Sequence, residues 1–280
     1  MVADLHCHTK ISDGSTGIDE LIYIAKKMNV KTISVTDHDT FAGAKRAKIL
    51  GQRQGIEVIM GAEFSAYDYS REKNVHILCY MCDNPDRLLG LCKKTGENTQ
   101  KAAAKMLQKA MRLYPISPEM VSKKAQGSTN VFKHHIMQAI MDAGYSTPDY
   151  NDMFEKLFDP ASGTVYAKTE YPAAEDVIAQ IHSAGGVAVL AHPNLYDNVE
   201  LIKELAVKGL DGVEVWSPSS NEEQTKELYE IAKGNNLVMT GGSDFHGMYS
   251  KSKCPIGTCT TPIEQIEKLK KRKIEICKNM

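Results

Sequence analysis

Residues 2–14 read VADLHCHTKISDG, and residues 238–247 read VMTGGSDFHG. Side chains alternate between the two faces of a strand, so His6 and His8 share one face, and Asp244 and His246 share another. Four metal-preferring side chains therefore stand at two strand ends about 240 residues apart. They meet only if the first and last strands come together, as they must in a closed barrel. The fold thus turns on whether the intervening sequence builds one.

The stretches KTISVTDHD (31–39), IEVIMGAEFSA (56–66), NVHILCYM (74–81), GGVAVLAHP (185–193) and DGVEVWS (211–217) read as strands. Amphipathic helical patterns alternate with them. The first has Thr16 or Asp19 as its start signal and an apolar face of Leu21, Ile22, Ile24, Ala25 and Met28. Others follow at 42–55, 199–209 and 222–235. Apolar runs that end in polar residues and alternate with helices predict parallel strands joined by helical crossovers. Between residues 85 and 167 this rhythm breaks into helical patterns punctuated by proline and glycine, which reads as a small helical insertion serving as a lid or substrate domain. The barrel is then residues 1–84 and 168–280.

At 280 residues, with 42% hydrophobic and 25% charged residues, the composition is that of a globular α/β protein. A net charge of −1 gives no overall field for nucleic acid or anionic membrane, so an anionic substrate must be held by local cations. No apolar run reaches the roughly 20 residues of a membrane span. The start MVADLH carries no basic leader or apolar signal segment, and seven scattered cysteines read as reduced thiols of a cytoplasmic protein. Cys79 and Cys82 have C-x-x-C spacing without a redox context and read as structural. The tail 268–278 reads as a solvated basic helix face, and nothing points to an obligate protein partner.

The ionisable residues fall in a pattern. Of His6, His8, Asp13, His38, Glu63, His76, His192, Asp244 and His246, nearly all read as lying at or just beyond carboxyl-terminal strand ends, the rim where parallel α/β barrels build active sites. Burying six imidazoles and three carboxylates without a metal would cost several kcal/mol of solvation. A mixed imidazole and carboxylate set suits two or three Mn, Fe or Zn ions at open catalytic positions, and Mg less well. Cys7 should face away from His6 and His8. His182 reads as an ordinary helix residue, Asp39 as a helix cap, and Asp37 as a partner for a ligating histidine. Ser243 and Trp216 read either as structural residues or as substrate contacts.

DLHCHTKISDG, TDHDT, Glu63 followed by His76, AHP and GGSDFHG together resemble the polymerase-and-histidinol-phosphatase (PHP) family of metal-dependent phosphoesterases. The resemblance covers residues 1 to about 82 and 170 to 260. It implies a distorted seven-stranded β/α barrel with up to three metals. One would take His6, His8, Glu63 and Asp244; a second Asp13, His38 and His246; a third Glu63, His76 and His192. Lys133-His134-His135 occupies the place of an Arg-Pro-His-like segment in nucleotide-hydrolysing members. His135 then aligns with the motif histidine and Lys133 with its arginine, whose bidentate fork lysine lacks. His134 replaces the proline.

The resemblance implies hydrolysis of a phosphate monoester, or terminal phosphodiester, of a nucleotide, nucleoside bisphosphate or short oligonucleotide through a metal-bridging hydroxide. Lys133, His134 and His135 are the expected substrate-binding residues, and Asp13, Asp244 and His135 the catalytic ones. A small phosphorylated substrate, or a short RNA or DNA end, is the expected partner. Histidinol-phosphate phosphatase activity and a non-catalytic metal- or nucleotide-binding regulator are the alternatives.

Overall fold

The computed structural model describes residues 2–145, 150–249 and 254–278. Its strands are β1 (Ala3–Cys7), β2 (Thr32–Val35), β3 (Glu57–Asp68), β4 (Lys73–Tyr80), β5 (Val187–Leu190), β6 (Gly212–Trp216) and β7 (Val238–Gly241). They stand in chain order in one seven-stranded sheet. α1 (Ile18–Lys27) and α2 (Ala44–Gln54) make the first two crossovers. α3 (Leu89–Met111), α4 (Pro118–Lys124), α5 (Lys133–Asp142), α6 (Tyr150–Phe158) and α7 (Ala174–Ser183) lie between β4 and β5. α8 (Leu201–Val207) and α9 (Glu222–Gly234) complete the crossovers, and α10 (Ile263–Lys278) closes the chain.

The expectation of uniformly parallel strands fails at β4, which runs antiparallel to both β3 and β5. The link from β3 to β4 is too short for a crossover helix, so the chain turns back as a hairpin. Asp68 holds that turn. It accepts from Ser70 N at 2.9 Å, Ser70 Oγ at 2.6 Å and Arg71 Nη1 at 2.9 Å. The reversal brings the amino-terminal half of β4 to the rim where the other strands end, and His76 lies in that half.

The barrel is nearly closed. His8 N–H donates to Phe245 O at 2.8 Å, and Cys7 and Phe245 form a parallel bridge. Two local features permit this. Gly242 lies so close to β1 that a Cβ there would come within 2.5 Å of His6 N and 2.8 Å of its Cα. Asp4, fully buried, accepts the N–H groups of Ser243 at 2.9 Å and Gly257 at 2.8 Å. Below the rim, Leu5, Ile59, Leu78, Tyr80, Val187 and Val189 belong to one buried apolar cluster. Tyr80 sits within it, donating its hydroxyl to Leu5 O.

Helix boundaries follow local chemistry where it is strong. α9 opens on a capping box, with Asn221 and Gln224 exchanging side-chain and backbone hydrogen bonds. α2 stops at Gly55, whose φ of 74° is the left-handed conformation common at helix ends. α1 differs from expectation: its N-cap is Gly17, while Asp19 lies inside the first turn, favourably placed for the helix dipole. α2 starts at Ala44, so Asp39 caps no helix. The basic face of α10 is partly tied down, with Arg272 donating to Asn236 O and Lys273 pairing with Asp83.

The 23-residue α3 joins two apolar clusters. Leu91, in its first turn, packs with the cluster of β3, β4 and α7. Ala102, Ala103, Met106 and Ala110 pack instead with Ile136 and Ile140 of α5 and Phe154 and Phe158 of α6. No helix among the described residues is long and apolar enough to cross a membrane.

Candidate metal centre

His6 and His8 leave β1 with their Nε2 atoms 3.1 Å apart, both directed at carboxylates. Glu63 Oε2 lies 3.4 Å from His6 Nε2, 3.2 Å from His8 Nε2 and 3.3 Å from His38 Nδ1. Its other oxygen, Oε1, lies 3.0 Å from both His76 Nδ1 and His192 Nε2. Glu63 is thus shared among five imidazoles. It stands in the middle of β3 rather than near the strand's end, because β3 continues to Asp68 as the hairpin.

The second half of the cluster surrounds Asp13. His8 Nδ1 and His246 Nε2 approach Asp13 Oδ1 at 3.5 and 3.4 Å, and His38 Nε2 approaches Oδ2 at 3.7 Å. Asp244 Oδ1 lies 3.5 Å from His6 Nε2, 3.4 Å from His8 Nε2 and 3.5 Å from His246 Nδ1. All nine residues singled out in the sequence therefore converge. The opening dyad and the late dyad share Asp244, which is what the near-closure of β1 on β7 makes possible.

The electrostatics follow from packing so many ionisable groups together. Burial works against the charged form of Glu63, yet His76, His38 and His6 hold its carboxyl well below the usual range. Asp13 and Asp244 behave likewise, each opposed by burial but held down mainly by His246. Burial would lower His8, but Asp244 and Glu63 push it up to about 10. For His38 burial wins, lowering it to about 3 despite Glu63 and Asp13. Protons on the imidazoles and divalent cations thus compete for the same carboxylates.

The donor set fits metal ions. Four groups have ligand atoms within 4.8 Å of one another: His8, Asp13, His38 and His246; His6, His8 and Asp244; His6, Glu63 and His192; and His38, Glu63 and His76. Among the described residues, the buried Nδ1 atoms of His8, His38 and His192 have no hydrogen-bond partner. The grouping differs from the implied allotment, since His8 joins the Asp13 group and His76 and His192 fall into different groups. His8 carries both dispositions because its two ring nitrogens face different carboxylates.

Supporting groups were harder to read in the sequence. Glu214, fully buried in β6, lies 3.0 Å from His6 Nδ1 and accepts the His192 N–H at 2.9 Å. The signal was there: a glutamate inside the apolar run VEVW. Tyr196 meets the rings of His76 and His192 edge-on at 5.1 and 5.7 Å. Asp37 orients no histidine; it accepts from Thr9 N, Thr9 Oγ1 and Ser12 Oγ and so fixes the loop that carries Asp13. Asp39 accepts from Ser65 N and Oγ, and its burial pushes its carboxyl up to about 7.

Other residues stand apart. Cys7 packs among Ile18, Leu21 and Val35. His182 pairs with Asp211 at 2.8 Å. Trp216 packs against the barrel's outer cluster, and Ser243 serves the backbone through its N–H to Asp4. Cys79 and Cys82 are free thiols.

Over the cluster sits the start of α5. His135 is buried, and its Nδ1 accepts the Phe132 N–H at 3.0 Å. The neutral ring then carries its hydrogen on Nε2, and burial favours that neutral form. His134 stacks between Phe154 at 4.6 Å and Tyr249 at 5.3 Å, with Nδ1 3.0 Å from Tyr150 Oη. It therefore packs α5 onto α6 and the loop after β7. Lys133 lies over the Tyr166 ring at 5.0 Å.

A near-closed seven-stranded barrel with an imidazole and carboxylate cluster at one rim is the architecture of a phosphoester hydrolase. The PHP domain profile matches residues 4–184, and the chain belongs to the PHP family. It is a hydrolase of that family's phosphoesterase class. Phosphoribosyl 1,2-cyclic phosphate 1,2-diphosphodiesterase of Eggerthella lenta is 33% identical, over 90% of this chain and 96% of the relative. The 5'-3' exoribonuclease of Escherichia coli is 30% identical, over 88% of this chain and 85% of the relative. Among solved structures, a protein inferred to be a metal-dependent phosphoesterase, from Bifidobacterium adolescentis, superimposes with a TM-score of 0.86. It is 29% identical and aligns over 96% of both chains.

Proposed function

We propose that the chain hydrolyses a phosphate ester carried on ribose, in a nucleotide, a nucleoside bisphosphate or the end of a short oligonucleotide, in the cytoplasm. The observation that carries this reading is the convergence of nine ligand side chains at one rim of the barrel. His6, His8, Asp13, His38, Glu63, His76, His192, Asp244 and His246 would hold two or three divalent ions, with Mn, Fe or Zn suiting the donors better than Mg. When bound, such ions lower the pKa of water and neutralise charge on phosphoryl oxygens.

The chain's own groups supply the rest. Asp13 and Asp244, both held ionised, accept hydrogen bonds from the attacking water and fix its direction. His135 Nε2–H donates to a phosphoryl or leaving-group oxygen, and Lys133 adds a positive charge beside it. Residues 85–167 act as the lid that carries both and shields the reaction from bulk water. The names of the two relatives, one acting on a phosphoribosyl cyclic phosphate and one on RNA, support a ribose-bearing phosphate ester.

Purified protein with added Mn²⁺ tests this against a panel of p-nitrophenyl phosphate, nucleoside mono- and bisphosphates, ribose cyclic phosphates, 5'-phosphorylated RNA and histidinol phosphate. Asp13→Ala and His246→Ala should each lower turnover by more than about 10³-fold while the far-UV circular dichroism stays unchanged. Full activity in both variants would refute the mechanism.

A further inference from the structure

The loop after β5 sets Tyr196 against the ligand layer, where the hydrolytic step leaves it unused. Two backbone hydrogen bonds shape that loop: Leu195 N–H donates to His192 O at 2.9 Å, and Asn198 N–H to Pro193 O at 2.8 Å. Side chains then tie it to its neighbours. The buried Asn198 donates from Nδ2 to Asn74 O at 2.8 Å, and Lys73 Nζ donates to Asp197 O at 2.8 Å. On the other side, Asn194 Nδ2 donates to Ser220 Oγ at 2.8 Å. Lys73 and Asn74 open β4, three and two residues before His76. The backbone at Tyr196 is therefore pinned to the strand that presents His76 and to the turn that begins at His192.

Its ring is fixed as firmly. The centroid lies 5.1 Å from that of His76 and 5.7 Å from that of His192, with 69° between the planes in both contacts. Those are the two imidazoles that approach Glu63 Oε1. Burial acts on the Tyr196 hydroxyl first, and the charges of Glu63, Asp244 and Asp13 act on it too, so its oxygen lies within electrostatic reach of both halves of the cluster. The residue is half-buried, and a phenol so placed ordinarily finds a hydrogen-bond partner. Among the described residues, no hydrogen bond engages the Tyr196 hydroxyl. A rigid donor thus stands beside the ligands with its hydrogen uncommitted.

We propose that Tyr196 contacts the substrate directly, its O–H donating a hydrogen bond to a non-bridging phosphoryl oxygen. The ring rests on two imidazoles of the ligand set, and phosphoryl oxygens are the substrate atoms that such a set gathers. Because the loop is tied down on both sides, the donor is in place before the substrate arrives, and little ordering cost attends the contact. The inference rests on the reading of the site as a phosphate-ester hydrolase. It adds a neutral donor that belongs to the barrel itself rather than to the helical insertion.

Tyr196→Phe keeps the ring on its two histidines and removes only the hydroxyl. Calorimetry with inorganic phosphate on the Mn²⁺-loaded proteins reads binding without turnover. The variant should bind phosphate about tenfold more weakly, the loss of one hydrogen bond to a charged group. Its Mn²⁺ affinity, titrated against a chromophoric chelator, should stay within twofold of wild type. The kcat/KM values for p-nitrophenyl phosphate and for a nucleoside monophosphate should fall by similar factors, since both substrates present the same phosphoryl oxygens. Unchanged phosphate affinity, or a wild type that binds no phosphate, would overturn the proposal. So would a fall in metal affinity that matches the fall in phosphate affinity, because Tyr196 would then act through His76 and His192. A loss confined to the nucleoside monophosphate would also overturn it, moving the contact to the leaving group. A wild type that binds phosphate but cleaves no ester would sink the hydrolytic reading, while the phosphate comparison still decides this one.

Discussion

Glu214 offers the sharpest test of how the cluster is held. Its carboxylate faces two buried groups, His6 Nδ1 and the His192 N–H, from the middle of β6. Glu214→Gln keeps the volume and one acceptor oxygen, so one donor must then face an amide NH₂. An unsatisfied buried donor costs about 1–3 kcal/mol. At roughly 2–4 °C per kcal/mol for a chain somewhat smaller than this one, the melting temperature should fall by about 5 °C. The larger effect should be on metal. With Nδ1 of His6 no longer held as a donor, Nε2 is no longer fixed as the free lone pair, and loss of such a partner typically weakens metal binding about 10–100-fold. Titration against a chromophoric chelator measures this directly, alongside melting with and without Mn²⁺. If Glu214→Gln melts earlier but binds metal within twofold of wild type, Glu214 is a packing residue and the positioning argument is wrong.

Other consequences are as specific. Gly242→Ala should abolish soluble folded protein or cut stability severely, since its Cβ would meet the backbone of His6 at 2.5 Å; expression and thermal melting would reveal it. Chelation should remove phosphatase activity and added Mn²⁺ should restore it, whereas activity that survives exhaustive chelation would contradict the donor-set argument. His134 is pushed down to about 3 by burial, below its ordinary 6.5. The folded state therefore resists its protonation, and stability drains away as pH falls from about 6.5 towards 3. His134→Phe preserves the stack on Phe154 and Tyr249 and should lose less melting temperature between pH 7 and 5 than wild type; an identical slope would rule the effect out.

The sequence made most of the ligands legible because they lie at a break between an apolar run and a polar loop. His6, His38, His192 and Asp244 could be placed at the rim from that break alone. His76 could be listed but not oriented, since nothing in NVHIL announces that β4 runs backwards; the short, tightly hydrogen-bonded turn after Asp68 is the cause, and it is a tertiary bargain struck within the hairpin. Asp37 and Asp39 were misread for a related reason. Short-range rules assign Asp39 to a helix cap and Asp37 to its histidine neighbour, whereas these two reach across to Thr9, Ser12 and Ser65, contacts separated by about 25 residues. Glu214 is hard to read from sequence because one glutamate in a strand looks like an exposed position until the strand's other face is known to be covered.

The reversal of β4 has a mechanical outcome. It delivers the chain to the floor of the barrel just before α3 begins, at the end away from the cations' cradle. A 23-residue helix is about 35 Å long, so α3 acts as a mast, footed at Leu91 beside the barrel wall and carrying at its upper half the helices that present Lys133 and His135. Inserting one residue into that mast would swing its upper half by about 100° and raise it 1.5 Å. Reach over the reactive phosphorus is therefore set by the length of a distant helix as much as by the residues that touch it.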